Sequence, residues 1–214
     1  MVSANPKTLR SAGLAAVVAA TLSSLPLGVA SAASCSASAE PGVDWTECAK
    51  KLIILSGADL KSATLVGTDF TSTDLRDSNL MTANLEKATL VRASLAGSKA
   101  EGAKFDRIEA YRTNFSGLHA QGATFASAEM QRSNFTDAVL VNVDFTKAEL
   151  GRADFTGADI TGTRFALANL ARADFSKAKF SGPIDFANAF FFLTRIEGVD
   201  LSAATGLAQG QIDM

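Results

Sequence analysis

A large apolar residue recurs at every fifth position over most of the chain. From Leu55 to Phe180 there are 26 such positions, and 23 of them hold Leu, Phe, Ile or Met. A small residue stands two positions earlier in 22 of the 26 units. A period of five fits neither an α-helix, whose faces repeat every 3.6 residues, nor a strand, which alternates every two. It is typical of a chain that turns a corner every five residues and points one large side chain inward.

Other residue types repeat at multiples of five. Phe is the central residue of every second unit from Phe105 to Phe175, and Arg recurs every twenty residues, at Arg92, Arg112, Arg132, Arg152 and Arg172. A coil of twenty residues with four sides explains both intervals and places the Phe side chains on two opposite faces. We therefore expect an all-β fold, a parallel β-helix of about seven square coils that is about 35 Å long.

The three central positions without a large residue are Ala100, Ala110 and Ala120. Ile108 and Leu118 stand where a small residue is usual, two positions before the second and third of these alanines. Their bulk compensates for the missing side chains if they point inward. Ala100 has only Ser98 at the equivalent position, so we expect a loosely packed layer near Ala100 and Ala110.

The first 33 residues have the pattern of a secretory signal peptide. Lys7 and Arg10 precede an apolar stretch, and small residues at 30–33 suit cleavage. A membrane anchor is the alternative, but polar residues and Pro26 interrupt the apolar stretch. We divide the chain into a signal peptide at 1–33, an N-terminal cap at 34–54, the repeats at 55–202 and a C-terminal cap or tail at 203–214.

Cys35 and Cys48 are the only cysteines in the chain. In an exported protein this pair predicts a disulfide, and closing such a short loop stabilises the fold by about 2–3 kcal/mol at most. A lipid anchor on Cys35, directly after the signal peptide, is the alternative. We expect the protein in the periplasm or outside the cell. His119 is the only histidine and should face outward, so we expect no metal site, no cofactor and no catalytic residues.

At this point the units resemble a known family. Runs such as Ala83-Asn84-Leu85 and Ala153-Asp154-Phe155 are similar to the A(D/N)LXX signature of pentapeptide-repeat proteins, over residues 52–205. The resemblance implies a right-handed quadrilateral β-helix. It also implies two kinds of role, since the best-known members mimic duplex DNA and modulate DNA gyrase, whereas others are secreted or lumenal. The stretch from Cys35 to Cys48 resembles the leader of exported members, in which a Cys pair and a Trp cap the first coil.

Both ends of a β-helix expose core and strand edges and need covering. At the N-terminal end we expect Trp45 and Leu52 to act as apolar plugs, and Lys50, at a central position, to mark a coil that is not yet regular. At the C-terminal end the phase slips by one residue at 181–183, after which the central residues are Phe186, Phe191, Ile196 and Leu201.

The slip places Phe190 and Phe192 on outward positions on either side of Phe191. An exposed pair of Phe side chains is unusual and favours a contact surface. Two interpretations stay open: the tail from residue 203 covers them, or they form a dimer contact, since rods of the resembled family join through their C-terminal ends.

Glu and Arg recur together on one face of the predicted rod. We call this surface the Glu/Arg face; its residues are Glu109, Glu129, Glu149, Arg112, Arg132, Arg152 and Arg172. One interpretation is a solvated face on which the two charges offset each other, each exposed pair contributing about 0–1 kcal/mol. The other is a flat, ordered docking surface for a protein or a charged glycan.

The chain as a whole has a net charge of −2, which predicts neither a nucleic-acid binder nor a strongly acidic mimic. Our leading hypothesis is an exported, non-enzymatic scaffold or protein-binding module with an unknown protein partner, no nucleic acid and no membrane span. A DNA-mimic modulator of a type II topoisomerase is the first alternative. An enzyme that uses one face of the rod is the second.

Overall fold

In the computed structural model, which describes residues 33–198, 202 and 204–207, the backbone winds into square coils of four five-residue sides. Parallel bridges join each residue before a centre to the residue twenty positions later, from Asp44↔Thr64 through Asp159↔Lys179. Each side contributes one bridging residue, so only two longer strands form among the described residues. These are β1 (Ile184–Asp185) and β2 (Ala204–Thr205), which pair in parallel. The predicted all-β parallel β-helix of square coils is confirmed.

Each corner is a short turn with one left-handed residue. The N–H three positions after a central residue donates to its carbonyl, as Ala63 N does to Leu60 O at 3.0 Å. The residue just before that N–H has a positive φ, as in Gly157 at 71°. Glycine adopts this conformation freely, but Ser62 at 55° and Arg132 at 61° adopt it too. A left-handed non-glycine residue costs about 1–2 kcal/mol, which the closed turn and the bridges must offset.

Two stacks of Phe rings fill the middle of the rod. Phe105, Phe125 and Phe145 stack with ring centroids 4.5 and 5.1 Å apart, and the stack continues through Phe165 and Phe186. A second stack consists of Phe115, Phe135, Phe155 and Phe175. Rings of the two stacks meet edge to face, the geometry that aromatic quadrupoles favour. The prediction that Phe lies on two faces of the interior is confirmed.

Small inward residues sit at the corners, and some of them are polar. Thr113 Oγ1 donates to Leu90 O at 2.6 Å, and Thr163 Oγ1 donates to Leu140 O at 2.8 Å. Each acceptor is the carbonyl of a central residue one coil earlier. A buried hydroxyl without such a partner would destabilise the fold, so these bonds explain why Thr is tolerated where Ala is usual.

Ile108 and Leu118 are fully buried. They therefore point inward beside Ala110 and Ala120, as the predicted compensation requires. The loosely packed layer near Ala100 and Ala110 stays a prediction.

The N-terminal cap is held by a disulfide and by Trp45. Cys35 and Cys48 form the predicted disulfide, with Cα atoms 5.3 Å apart. Trp45 is buried, as expected of a plug, and its Nε1 donates to Ala37 O at 3.2 Å. Lys50 Nζ lies 3.8 Å from the Trp45 ring and donates to Cys35 O at 2.8 Å. Burial lowers the pKa of the Lys50 ammonium.

Two expectations for this end are wrong. The first coil is already regular at Lys50, because Ala49 bridges Asp69 and Lys50 N donates to Asp69 O at 2.8 Å. The Lys50 side chain closes the coil through its contact with Trp45 and needs no irregular backbone. Leu52 is not a plug: it is the left-handed turn residue, with φ at 60°, so its side chain points outward and is 77% exposed.

The predicted phase slip near the C-terminal end is confirmed. The bridge interval is twenty residues up to Asp159↔Lys179 and becomes twenty-one at Arg164↔Asp185. Gly182, with φ at 115°, lies in the inserted segment. After the slip Phe186 is buried, whereas Phe191 and Ile196 are half-buried. The predicted signal peptide, Leu201 and most of the tail lie outside the described residues.

Replacing Phe145 by Ala should strongly destabilise the rod, because the ring is stacked on both sides. Loss of a buried Phe costs about 3–5 kcal/mol in transfer and cavity terms. Urea denaturation followed by circular dichroism measures the change in the free energy of unfolding. The outward-facing Val141→Ala is the matched control and should change it by no more than about 0.5 kcal/mol. A loss below about 1 kcal/mol for Phe145→Ala would contradict the packing.

Candidate interaction face

Glutamates form one column along the Glu/Arg face. The bridges Glu109↔Glu129 and Glu129↔Glu149 place them directly above one another. We call Glu109, Glu129 and Glu149 the Glu column. Paired strands lie about 4.8 Å apart, so the carboxylates repeat at that interval. The bridges Glu149↔Asn169 and Asn169↔Phe190 continue the column, and Asn169 Nδ2 donates to Glu149 Oε2 at 2.8 Å.

Arginines form a second column on the same face, three residues further along each coil. This Arg column consists of Arg92, Arg112, Arg132, Arg152 and Arg172, all exposed turn residues with positive φ. Their backbone bonds repeat from coil to coil; Arg132 N donates to Gly151 O and Arg152 N to Ala171 O. The guanidinium of Arg112 lies 5.2 Å from the Tyr111 ring. The twenty-residue interval read from the sequence therefore produces two parallel columns of opposite charge.

The two columns do not pair with each other. Five ion pairs occur within the described part of the chain, and none joins a member of the Glu column to a member of the Arg column. Nor does any of the five involve an arginine of the Arg column. On a solvated face the Glu and Arg charges were expected to offset each other. No direct contact between the two columns does so. The guanidinium groups keep their hydrogen-bond donors available to a partner.

A groove runs along the Arg column. Its volume is about 450 Å³, and it is lined by Gln131, Gly151, Ala171, Arg132, Arg152 and Arg172. The groove exists because Gly151 and Ala171, which follow the central residues of their units, have little or no side chain to fill the space between the arginines. An adjoining groove of about 390 Å³ includes Asp154, Asp174, Leu193 and Arg195. The small residues were not singled out from the sequence, although their position in the twenty-residue interval could have identified them.

The Glu/Arg face ends in an exposed apolar patch. Phe190 continues the Glu column, and Phe192 is placed by the bond from Arg172 N to its carbonyl at 2.7 Å. Phe190 is 56% exposed, Phe192 48% and the adjacent Leu193 60%. We call these three residues the Phe patch. The outward placement of both Phe side chains is confirmed, and the structure leaves both substantially exposed.

A second exposed apolar cluster lies on the first coil and was missed. Leu52 is 77% exposed, Ile53 38% and Ile54 79%. The sequence did carry the information, because Ile54 occupies the bridging position just before Leu55, which points outward in every other unit. The bridge Ile54↔Asp74 pairs this segment with the next coil.

The aspartates and asparagines before the central residues have a structural role. Asp154 Oδ1 accepts from Thr156 N at 2.9 Å, and Asn134 Oδ1 accepts from Thr136 N at 2.8 Å. The bond satisfies a turn N–H that the coil leaves unpaired, as an Asx turn does. This explains the D/N preference without any catalytic function. His119 is exposed and bridges Lys99 and Val139. No three His, Cys, Asp or Glu side chains of the described residues are grouped so that they could hold a metal ion.

These turn bonds also lower carboxylate pKa values. The Arg76 side chain donates to both oxygens of Asp74, at 2.8 and 2.6 Å, and lowers the pKa of Asp74 to about 2. The hydrogen bond from Thr71 lowers the pKa of Asp69. Since the folded-state pKa lies below the unfolded value, each carboxylate stabilises the fold at neutral pH.

The stabilisation by Asp74 should disappear in acid. It is fully present above its unfolded pKa of 3.8 and is lost as the pH falls through about 2. Asp74→Asn keeps an oxygen for the turn N–H but removes the charge, so its denaturation midpoint should fall less steeply over this range. Urea midpoints between pH 7 and pH 2 test this. Identical slopes for the two proteins would exclude a contribution from the Asp74–Arg76 pair.

Comparison with known proteins gives a consistent result for the fold. The sequence matches the family model of pentapeptide repeats, in 8 copies, at residues 53–89, 78–117, 111–146, 121–157 and 148–182. The plasmid-mediated fluoroquinolone resistance protein QnrB1 is 24% identical, over 78% of this chain and 88% of that chain, with a TM-score of 0.59. No curated protein matches the sequence significantly.

Two further solved structures are less similar in shape. HetL, from the cyanobacterium Nostoc sp. strain PCC 7120, is 25% identical over 77% of this chain and 72% of that chain, with a TM-score of 0.47. A thylakoid-lumen protein of Arabidopsis thaliana is 24% identical over 50% of this chain and 67% of that chain, with a TM-score of 0.26. The repeats of this family form right-handed quadrilateral β-helices, which confirms the expected fold class.

Proposed function

Since the chain belongs to the pentapeptide-repeat family, we propose that it is an exported, non-enzymatic scaffold that binds a protein through its Glu/Arg face. The observation that carries this proposal is the pair of oppositely charged columns, held at one-coil intervals and not paired with each other. Both columns are attached to a filled, stacked core. A partner therefore meets charges whose backbone positions are already fixed, which reduces the ordering cost of binding.

Export is supported by two features of the N-terminal segment. The sequence of residues 1–33 has the composition of a signal peptide, and Cys35 and Cys48 form a disulfide. Because the Cys35 sulfur is bonded to Cys48, it is not free to carry a lipid. Within the described part of the chain, no helix has the length and apolarity needed to cross a membrane.

A non-enzymatic role is supported by the chemistry of the grooves. Catalysis by acid–base groups needs titratable side chains that converge in a cleft. The larger groove contributes arginines and small residues, and Asp154 and Asp174 in the second one accept turn N–H groups. Asp174 is also paired with Arg195 at 2.9 Å.

The surface gives less support to the alternative of a topoisomerase modulator. QnrB1 is described as a fluoroquinolone resistance protein, but at 24% identity it shares the fold alone. A duplex-DNA mimic needs a continuous negative surface, and the Arg column interrupts it along five coils. Inhibition or drug protection of purified gyrase in a supercoiling assay would favour that alternative over the one proposed.

Expression with the native N-terminus should yield an exported, oxidised protein. We expect the mass of the secreted or periplasmic product to lack the first 33 residues or nearly so, and thiol titration to detect no free cysteine until reductant is added. The variant Cys35→Ser/Cys48→Ser should still be exported but should unfold at a lower denaturant concentration. Recovery of the uncleaved chain in the cytosol with both thiols free would refute the proposed location.

Binding of a partner should depend on which column carries which charge. The test is a pull-down from periplasmic extract with the purified mature protein. The exchange Glu129→Arg/Arg132→Glu should abolish capture of a specific partner, because the exchanged residues then face partner groups of the same charge. The net charge stays the same, so loss of capture reports arrangement and not total charge. The matched control Asp137→Lys/Lys177→Asp, at turn positions on another face, should capture normally. Equal capture by all three proteins would exclude the Glu/Arg face.

A further inference from the structure

The Glu/Arg face is complementary to itself. It carries a negative column and a positive column that form no ion pair with each other, and it ends in the Phe patch. We propose that this face packs against the same face of a second copy of the chain, with the two rods side by side and parallel. The inference rests on the proposed function, since it takes the Glu/Arg face as the binding surface and identifies one occupant of it.

The columns require one particular symmetry. A two-fold axis parallel to the rod exchanges the left and right sides of the face and leaves the height unchanged. The Glu column of one copy then lies opposite the Arg column of the other, coil by coil, because both columns advance by one coil every twenty residues. Glu129 meets Arg132 of the second copy, and Arg132 meets its Glu129. Such an interface is isologous, as in most protein dimers.

The other two-fold arrangement is excluded by charge. An axis perpendicular to the rod leaves each column on its own side, so that Glu faces Glu and Arg faces Arg in an antiparallel pair. Juxtaposed like charges disfavour association. The order of the columns across the face therefore favours parallel over antiparallel rods.

The same two-fold axis also brings the Phe patches of the two copies together. Phe190 continues the Glu column through its bridge to Asn169, and Leu193 follows Arg172 in the Arg column. In the parallel dimer Phe190 therefore lies against Leu193 of the second copy. Phe192, between the columns, lies close to the axis and meets its own counterpart. Side chains that are 56%, 60% and 48% exposed in the single chain are covered in this way.

The middle of the face allows the copies to approach closely. The residues between the columns include Gly151 and Ala171, which form the floor of the groove. Tyr111, in the same line, is 36% exposed and would meet its counterpart near the axis. At the N-terminal end of this line Lys51 would meet the Lys51 of the second copy, and the two positive charges would repel each other. Asp69, 3.5 Å from the Lys51 ammonium, neutralises this charge in part. The contact therefore runs from the coil of Arg92 to that of Phe192.

Two variants with a single sign of charge on the face test the pairing. The acidic variant is Arg112→Glu/Arg132→Glu/Arg152→Glu, and the basic variant is Glu109→Arg/Glu129→Arg/Glu149→Arg. Light scattering after size exclusion should give a dimer for the unchanged protein at low ionic strength. Each variant alone should be monomeric, with the dissociation constant raised at least about tenfold, and an equimolar mixture should form a mixed dimer. Thermal melting checks that each variant is folded.

A third variant, with all six substitutions, determines the orientation. In parallel rods its columns still face opposite charges, so it should dimerise with itself but not with the unchanged protein. Antiparallel rods would give the reverse result, mixed dimers with the unchanged protein. A monomeric unchanged protein at about 100 μM and low salt, or dimers that persist in both single-sign variants, would overturn the proposal.

A cysteine placed near the axis gives an independent check of register. Ala171→Cys should form an intermolecular disulfide on mild oxidation, because residues next to a parallel two-fold axis meet their own counterparts. Val141→Cys, on the opposite face, should not. Cross-linking at both positions or at neither would contradict the arrangement.

Failure of this inference is separable from failure of the proposed function. The exchange Glu129→Arg/Arg132→Glu preserves self-association, since both copies change together, but it presents the wrong charges to a different protein. Loss of the captured partner with a retained dimer therefore supports both proposals, whereas unchanged capture with a retained dimer refutes only the binding of a different protein through this face. Loss of the dimer in this exchange variant refutes the pairing itself.

Discussion

The fold depends on how much side chain the inside of a square coil can hold. Bridges fix successive coils at one strand spacing, and each coil must fill its interior with the central residues of four sides. Stacked Phe rings meet this requirement from Phe105 to Phe186, with centroids 4.5 to 5.3 Å apart within one stack. Because the rings repeat at the coil spacing, the outward side chains at equivalent positions of successive coils repeat at that spacing too. The regular surface is thus a consequence of the regular core.

The sequence predicts the core well because inward and outward positions follow from phase alone. Phase placed Phe186 and Phe191 correctly even across the slip at 181–183. The first coil follows the same phase, since Lys50 occupies a central position and Leu52 a turn position. The two expectations there were wrong because they followed the charge of Lys50 and the apolar character of Leu52. The contact of Lys50 with Trp45 depends on the segment that folds over Trp45, which has no repeat and so leaves no periodic pattern. The Thr hydroxyl bonds were missed for another reason, since a residue's size does not reveal its acceptor one coil away.

The candidate face was predicted in composition but not in contacts. A twenty-residue interval is sufficient to align Glu109 with Glu129 and Arg112 with Arg132. Whether the columns neutralise each other depends on the direction that each long side chain takes from its backbone position. The sequence cannot give that direction. The groove depends on the absence of side chain at Gly151, which is easily overlooked beside charged neighbours.

The Arg column is not explained by the fold. Its members occupy left-handed turn positions, where glycine serves equally well, as at Gly57 and Gly157. Arginine there is strained relative to glycine and is repelled by the arginines one coil above and below. Among the described residues no ion pair offsets either cost, since all five pairs lie elsewhere. An arrangement that weakens the isolated rod is understandable if the guanidinium groups are satisfied by carboxylates that another molecule supplies.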